Sequence, residues 1–327
     1  MTRMNHNRCL AFLAAGMIVL AFLGCRGGGD GSAVSSGGPA GGQAAGLSSG
    51  RPFADFDGRI VFQSDLGGNN DLYLLTRAGL RRLTDDPASD EFPRWSPDGR
   101  FIAFTSNRGG SYQIYVMNDD GTNVRRVTNG PGEAIEQGWH PDGNKIAYTI
   151  QRKRAVGRSY RLWTADLVSG SVTPLLPDFD GSAALPDFSP AEPLLAFTGK
   201  RTIGWDAFVA DLRSGEVRAL SEGGKSCRPR FSPDGSRIAY VSSTADGKGD
   251  IWLVNPDGGG RERLTERPET YDYFPAWSPD GRWIVFASGT EHYPTEGVWE
   301  LALVDPATKR VVPLFKSGGR DVFPDWR

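Results

Sequence analysis

The chain has few of the residues that carry most catalysis. Its 327 residues include three histidines and three cysteines. His6, His140 and His292 stand far apart, and no His/Cys cluster has the spacing of a zinc site. No Gly-x-Ser-x-Gly elbow occurs, so an α/β-hydrolase nucleophile is excluded. Cys9, Cys25 and Cys227 are too few and too scattered for a disulfide framework. A formal net charge of −2 supplies no electrostatic footprint for nucleic acid. Helical periodicity is absent beyond the first 25 residues, which argues against helical and α/β classes. The apolar run from Leu10 to Leu23 is too short to span a bilayer comfortably.

What the chain does have is repetition. Trp95-Ser96-Pro97-Asp98-Gly99 recurs as Trp139-His140-Pro141-Asp142-Gly143, Phe188-Ser189-Pro190-Ala191-Glu192, Phe231-Ser232-Pro233-Asp234-Gly235 and Trp277-Ser278-Pro279-Asp280-Gly281. A sixth aromatic, Trp326, closes Phe323-Pro324-Asp325-Trp326. The anchors are spaced by 44, 49, 43, 46 and 49 residues. A period in the forties with several short strands per unit is the mark of a β-propeller. Three strands are readable after each turn, as in Ile102-Ala103-Phe104, Ile114-Tyr115-Val116 and Val124 to Val127. The fourth strand of each unit ends in the anchor. The first unit has no anchor ahead of Gly58, and the segment from Val322 to Trp326 is left over. The expected fold is therefore all-β, with six four-stranded blades closed by the C-terminal strand joining the first blade.

The turn phrase is mechanical. Proline sets the turn's second position, Asp bonds its local backbone and Gly takes positive φ. Trp95, Trp139, Phe188, Phe231, Trp277 and Trp326 are then structural blade anchors. Cys227 reads as apolar packing. Asp65 to Asp71 lacks EF-hand spacing and reads as a tight hairpin loop.

Three regions follow. Residues 1–24, with Arg3 and Arg8 ahead of the apolar run, read as a signal peptide. Leu23-Gly24-Cys25 resembles the bacterial lipobox, which makes Cys25 the lipidation site; Phe22 stands where that motif usually has Leu. Residues 25–50 form a Gly/Ser-rich tether with a mean reach of roughly 25–30 Å. The propeller occupies 51–327.

The repeated aromatic-Ser-Pro-Asp-Gly phrase, with Thr105-Ser106-Asn107-Arg108-Gly109-Gly110 and Ile114-Tyr115-Val116-Met117, resembles the TolB-type, WD40-like propeller repeats over residues 58–327. In TolB an N-terminal α/β domain precedes the propeller; here a signal and a tether stand in that place. The resemblance implies a periplasmic or surface-exposed cell-envelope module.

Loops entering each innermost strand should gather at the channel mouth. They carry Asp90, Glu91, Glu136, Arg228, Arg230, Asp272, Arg320 and Asp321, the candidate partner-binding residues. Arg152, Lys153, Arg154, Arg158 and Arg161 form a basic patch in a long loop of the third blade, suited to an anionic polymer or lipid headgroups. The expected function is a membrane-anchored, monomeric lipoprotein that binds or scaffolds an envelope protein. No catalytic residue, metal or cofactor is expected. The alternative is a polysaccharide- or peptide-processing enzyme with its site at the channel mouth.

Overall fold

The computed structural model describes residues 57–155, 157–292, 294 and 296–327. The segments expected to be signal peptide and tether, with Cys25, lie outside them. The described residues form six four-stranded antiparallel sheets and no helix. Blade 1 holds β1 (Ile60–Ser64), β2 (Asp71–Thr76) and β3 (Gly79–Arg82). Blade 2 holds β4 (Asp90–Trp95), β5 (Phe101–Ser106), β6 (Gln113–Asn118) and β7 (Arg125–Arg126). Blade 3 holds β8 (Glu133–Trp139), β9 (Lys145–Lys153), β10 (Arg158–Asp166) and β11 (Val172–Leu175). Blade 4 holds β12 (Ser182–Phe188), β13 (Leu194–Lys200), β14 (Asp206–Asp211) and β15 (Val217–Ala219). Blade 5 holds β16 (Ser226–Phe231), β17 (Ile238–Ser242), β18 (Asp250–Val254) and β19 (Glu262–Arg263). Blade 6 holds β20 (Tyr271–Trp277), β21 (Ile284–Gly289), β22 (Trp299–Val304) and β23 (Val311–Phe315).

β24 (Val322–Trp326) is the inner strand of blade 1. It pairs with β1, with Ile60 opposite Trp326 and Val61 opposite Asp325. Ring closure by the C-terminal strand is as the repeat count required. It leaves blade 1 without an unpaired inner edge.

The second strand of each blade is buried on both faces. β1, β5 and β17 read Ile-Val-Phe-Gln-Ser, Phe-Ile-Ala-Phe-Thr-Ser and Ile-Ala-Tyr-Val-Ser, and nearly every residue is inaccessible. Such continuous apolar runs suit a strand sandwiched between neighbouring blades. The anchors lie at the ends of the inner strands: Trp95, Trp139, Phe231 and Trp326 are buried, Phe188 and Trp277 half-buried. Cys227 is fully buried in the core.

The turns behave as the phrase implies. Ser96 Oγ donates to Asp98 Oδ1 at 2.6 Å, and the same contact recurs at Ser232–Asp234 and Ser278–Asp280. Gly99 sits at φ +69°, a conformation that favours glycine. Blade 4 lacks the Asp. There the Ser189 hydroxyl accepts from the amides of Ala191 and Glu192 instead.

Candidate functional site

The six inner strands line the channel, and each carries a register shift against its neighbour. At the shift stand Phe92, Glu136, Leu185, Arg228, Phe274 and Phe323, all with φ between 52° and 61°. Non-glycine residues in this region cost of order 1–3 kcal/mol each. Two features support the bulge. The following residue is Pro at five of the six positions, where no ladder donor is lost. The strained residue's own amide is taken by the preceding blade: Phe92 donates to Gln63 Oε1, Glu136 to Thr105 Oγ1, Leu185 to Thr149 Oγ1 and Arg228 to Thr198 Oγ1.

The bulge turns these side chains into the channel and plugs it. The rings of Phe274 and Phe323 lie 4.0 Å apart between centroids, and Phe92 and Phe323 meet edge-on at 4.4 Å. The Arg228 guanidinium covers Phe274 and Phe323 at 4.6 and 5.0 Å. Across the channel Arg228 Nη2 stands 3.6 Å from Glu136 Oε1. Neither carboxylate oxygen of Glu136 has a hydrogen-bond partner in the described protein. Burial pushes the Glu136 carboxyl up to about 7; Arg228 opposes that shift and Glu91 adds to it.

Towards the Ser-Pro-Asp-Gly end, four charges form a second layer. Arg94 Nη2 lies 2.6 Å from Asp187 Oδ1, and its Nε 3.3 Å from Asp325 Oδ1. Arg230 Nη2 lies 2.6 Å from Asp325 Oδ1, and its Nη1 3.6 Å from Asp187 Oδ1. The alternating ring has an approximate two-fold. Asp325 Oδ2 accepts from the amide of Trp95, and Asp187 Oδ2 from that of Phe231. Trp139 donates to the Arg94 carbonyl, and Trp277 to that of Arg230. Burial raises both carboxyls against the pull of Arg94. The chamber lined by these two layers holds about 60 Å³ of space. Ligand pockets run from roughly 300 Å³ upward.

Of the candidates, the structure brings Glu136, Arg228 and Arg230 into the channel. The others do not face it as open recognition groups. Asp90 is in β4, fully buried, and held by Arg108 Nη2 at 2.8 Å. Glu91 accepts from Ser89, Asn70 and Tyr112. Asp272, in β20, is held by Arg267 at 2.8 Å and by the Ser288 hydroxyl. Asp321 accepts from Ser64 and Ser317. Burial raises the carboxyls of Asp90, Glu91 and Asp321 against these bonds. Asp90, Glu91 and Asp272 lie in β4 and β20 rather than in the loops expected of them, and charge reversal at these or at buried Asp321 would strand their partners. Arg320 is tied to Asp65 at 2.7 Å, and Asp71 to Arg82, so the Asp65–Asp71 carboxylates are engaged by arginine. Among the described residues no group of three or more His, Cys, Asp or Glu could hold a metal ion. Arg94, Asp187 and Asp325 escaped the sequence reading. Their signal was the residue after the bulge proline, seen only when the repeats are stacked.

Two family models match in succession. The Tricorn protease N-terminal beta propeller domain matches residues 56–178, and the TolB beta propeller domain residues 157–302. The Tol-Pal system protein TolB of Francisella tularensis subsp. mediasiatica is 30% identical over 242 residues, 68% of this chain and 52% of that protein. The crystal structure of TolB from Acinetobacter baumannii superposes with a TM-score of 0.70 at 23% identity, over 83% of this chain and 67% of that one.

The chain is a TolB-like β-propeller.

Dipeptidyl-peptidase 5 of Porphyromonas gingivalis is also similar to this TolB-like propeller. It is 28% identical over 283 residues, 70% of this chain and 41% of the peptidase. The match thus spans about half or less of the length of these two curated relatives.

Proposed function

We propose that this TolB-like propeller is a non-catalytic protein-binding module of the bacterial cell envelope, held to a membrane by lipid at Cys25. The observation that carries the reading is the plugged channel. Its polar groups are layered against one another, and its chamber is too small for a substrate-sized molecule. Recognition then falls to the loop rim, where a standard interface needs roughly 800 Å² per partner. The exposed groups there include Asp85, Ile203, Glu222, Lys225 and Glu269. Similarity to TolB supports an envelope setting, and the Leu23-Gly24-Cys25 sequence supports the anchor.

Crosslinking capture from envelopes tests the reading. Combined reversal at Asp85, Glu222 and Glu269 should weaken capture and leave melting unchanged; unchanged capture overturns the rim. Cys25→Ala should release the protein from membranes, and equal retention overturns the anchor. The alternative is a peptide- or polysaccharide-processing enzyme, and similarity to dipeptidyl-peptidase 5 supports its peptide half. Turnover of an envelope peptide or glycan that is lost in Glu136→Gln would establish it.

A further inference from the structure

Blade 3 carries a finger that the other blades lack. β9 and β10 are nine residues each, whereas the second and third strands of the other blades have five to seven. Three extra residues extend a strand by about 10 Å. All second strands run from the Ser-Pro-Asp-Gly end towards the loop end, so the finger projects from the loop end. Its tip turn is closed by the Arg154 amide donating to the Gly157 carbonyl.

The finger is positive on both faces. Lys153 stands directly opposite Arg158, and Arg152 opposite Ser159. Strand alternation puts Arg152 on the face of Arg161, where Arg154 also reaches the Ser159 hydroxyl at 3.0 Å. Arg152, Lys153, Arg154 and Arg161 are exposed. Among the described residues none of the five bases forms an ion pair; their contacts are with Ser159, Gln151 and backbone carbonyls. Like charges facing each other across a ladder destabilise it. Folding therefore gains nothing from this pattern. At the same end of the disc Arg82, Arg108, Arg263, Arg267 and Arg320 are each tied to an aspartate.

We propose that the blade 3 finger docks end-on against a bilayer surface bearing anionic lipid headgroups. An acidic peptide lying along one face would leave the charges of the other face unused, whereas a plane of headgroups engages both. Ala155 and Gly157, in the tip turn, are small, uncharged and exposed, which suits close approach to the headgroups. Basic residues near such a surface contribute through charge more than through geometry. The proposal goes beyond the protein-binding reading and does not rest on it.

Vesicle co-sedimentation of the full chain tests it, with phosphatidylcholine vesicles compared with vesicles that also contain phosphatidylglycerol. Arg3, Arg8 and the apolar Leu10–Leu23 segment are common to the protein and its finger variants, so the finger is read from the difference between them on the phosphatidylglycerol vesicles. Arg152→Ser/Lys153→Ser/Arg154→Ser should weaken binding to the phosphatidylglycerol vesicles by about 100-fold, near five-fold per base, and leave phosphatidylcholine binding unchanged. Arg152→Lys/Arg154→Lys/Arg161→Lys should retain binding. Should the triple Ser variant fail to fold, Lys153→Ser/Arg154→Ser, at exposed positions beside the tip turn, supplies the same test with about 25-fold weaker binding to the phosphatidylglycerol vesicles. Equal binding to the two vesicle types, or a folded Ser variant that binds as before, overturns the proposal. So does a finger-dependent preference for soluble polyglutamate over vesicles, which would assign the finger to an acidic polypeptide.

Discussion

Blades 2 and 3 stand side by side and share one plan, yet they treat positive charge in opposite ways. In blade 2, Arg108 is largely buried, bonds Asp90 with both carboxylate oxygens and covers the rings of Phe104 and Tyr115 at 5.4 and 5.3 Å. Arg94 of the same blade is locked between Asp187 and Asp325. In blade 3, among the described residues, none of the five bases on the finger forms an ion pair. A charge taken out of water needs a partner, because desolvation costs several kcal/mol per ion. A charge left in water does not. The burial of an arginine in this ring thus separates charges that hold the disc together from charges free to meet something outside it.

The largest test of that separation removes the strand that carries one member of the ion ring. Deleting residues 322–327 takes away β24, Trp326 and Asp325 together. A buried Trp alone is worth roughly 3–5 kcal/mol. A thermal melt should show the cooperative transition lost or shifted steeply down, and an unchanged melt would refute closure through blade 1.

Breaking the ring by one residue comes next. Asp325→Ala strands the Arg94 and Arg230 contacts and the Trp95 amide. Denaturant unfolding should show a loss of about 3–5 kcal/mol. Asp187→Ala added to it should cost less than a second full increment, because the two share partners.

Glu136 gives a pH signature between the two extremes. Its carboxyl is raised from 4.5 to about 7, chiefly by burial. The folded protein therefore holds a proton that the unfolded chain has released. Its contribution to stability is full below the unfolded value near 4.5, falls as pH rises towards 7 and is flat above. The fall amounts to about 3 kcal/mol. Glu136→Gln should remove that slope from a plot of unfolding free energy against pH; a slope that persists belongs to another group.

The smallest expected effect lies on the finger. Lys153→Glu turns a like-charge cross-strand pair with Arg158 into an opposite one, and should raise stability by roughly 0.2–1 kcal/mol. The same change should weaken binding to phosphatidylglycerol vesicles. Gain of stability with loss of binding is the outcome that sharpens the contrast between the blades.

The architecture was readable in the sequence because it is written several times over. Five turn phrases and a spare sixth anchor fix both blade number and closure. The site was readable only in part. Asp90 and Asp272 sit in polar segments that resemble surface loops, and nothing local announces that Arg108 and Arg267 bury them. Arg94 and Asp187 are 93 residues apart and touch only because the ring closes. The finger was seen as a charged loop rather than as strands, since β10 begins at Arg158, ahead of the apolar residues that mark it.

The pairing of Ile60 with Trp326 also sets a clock. More than 260 residues separate them, and chain growth at about 5–20 residues per second spaces their arrival by roughly 15–50 s. Through that interval blade 1 has three strands and an open inner edge, and the ring of blades stacked behind it stays unclosed. A half-finished disc of this kind is a template for pairing with the wrong chain. Handing over the chain unfolded and releasing it all at once would let the first and last strands meet as contemporaries.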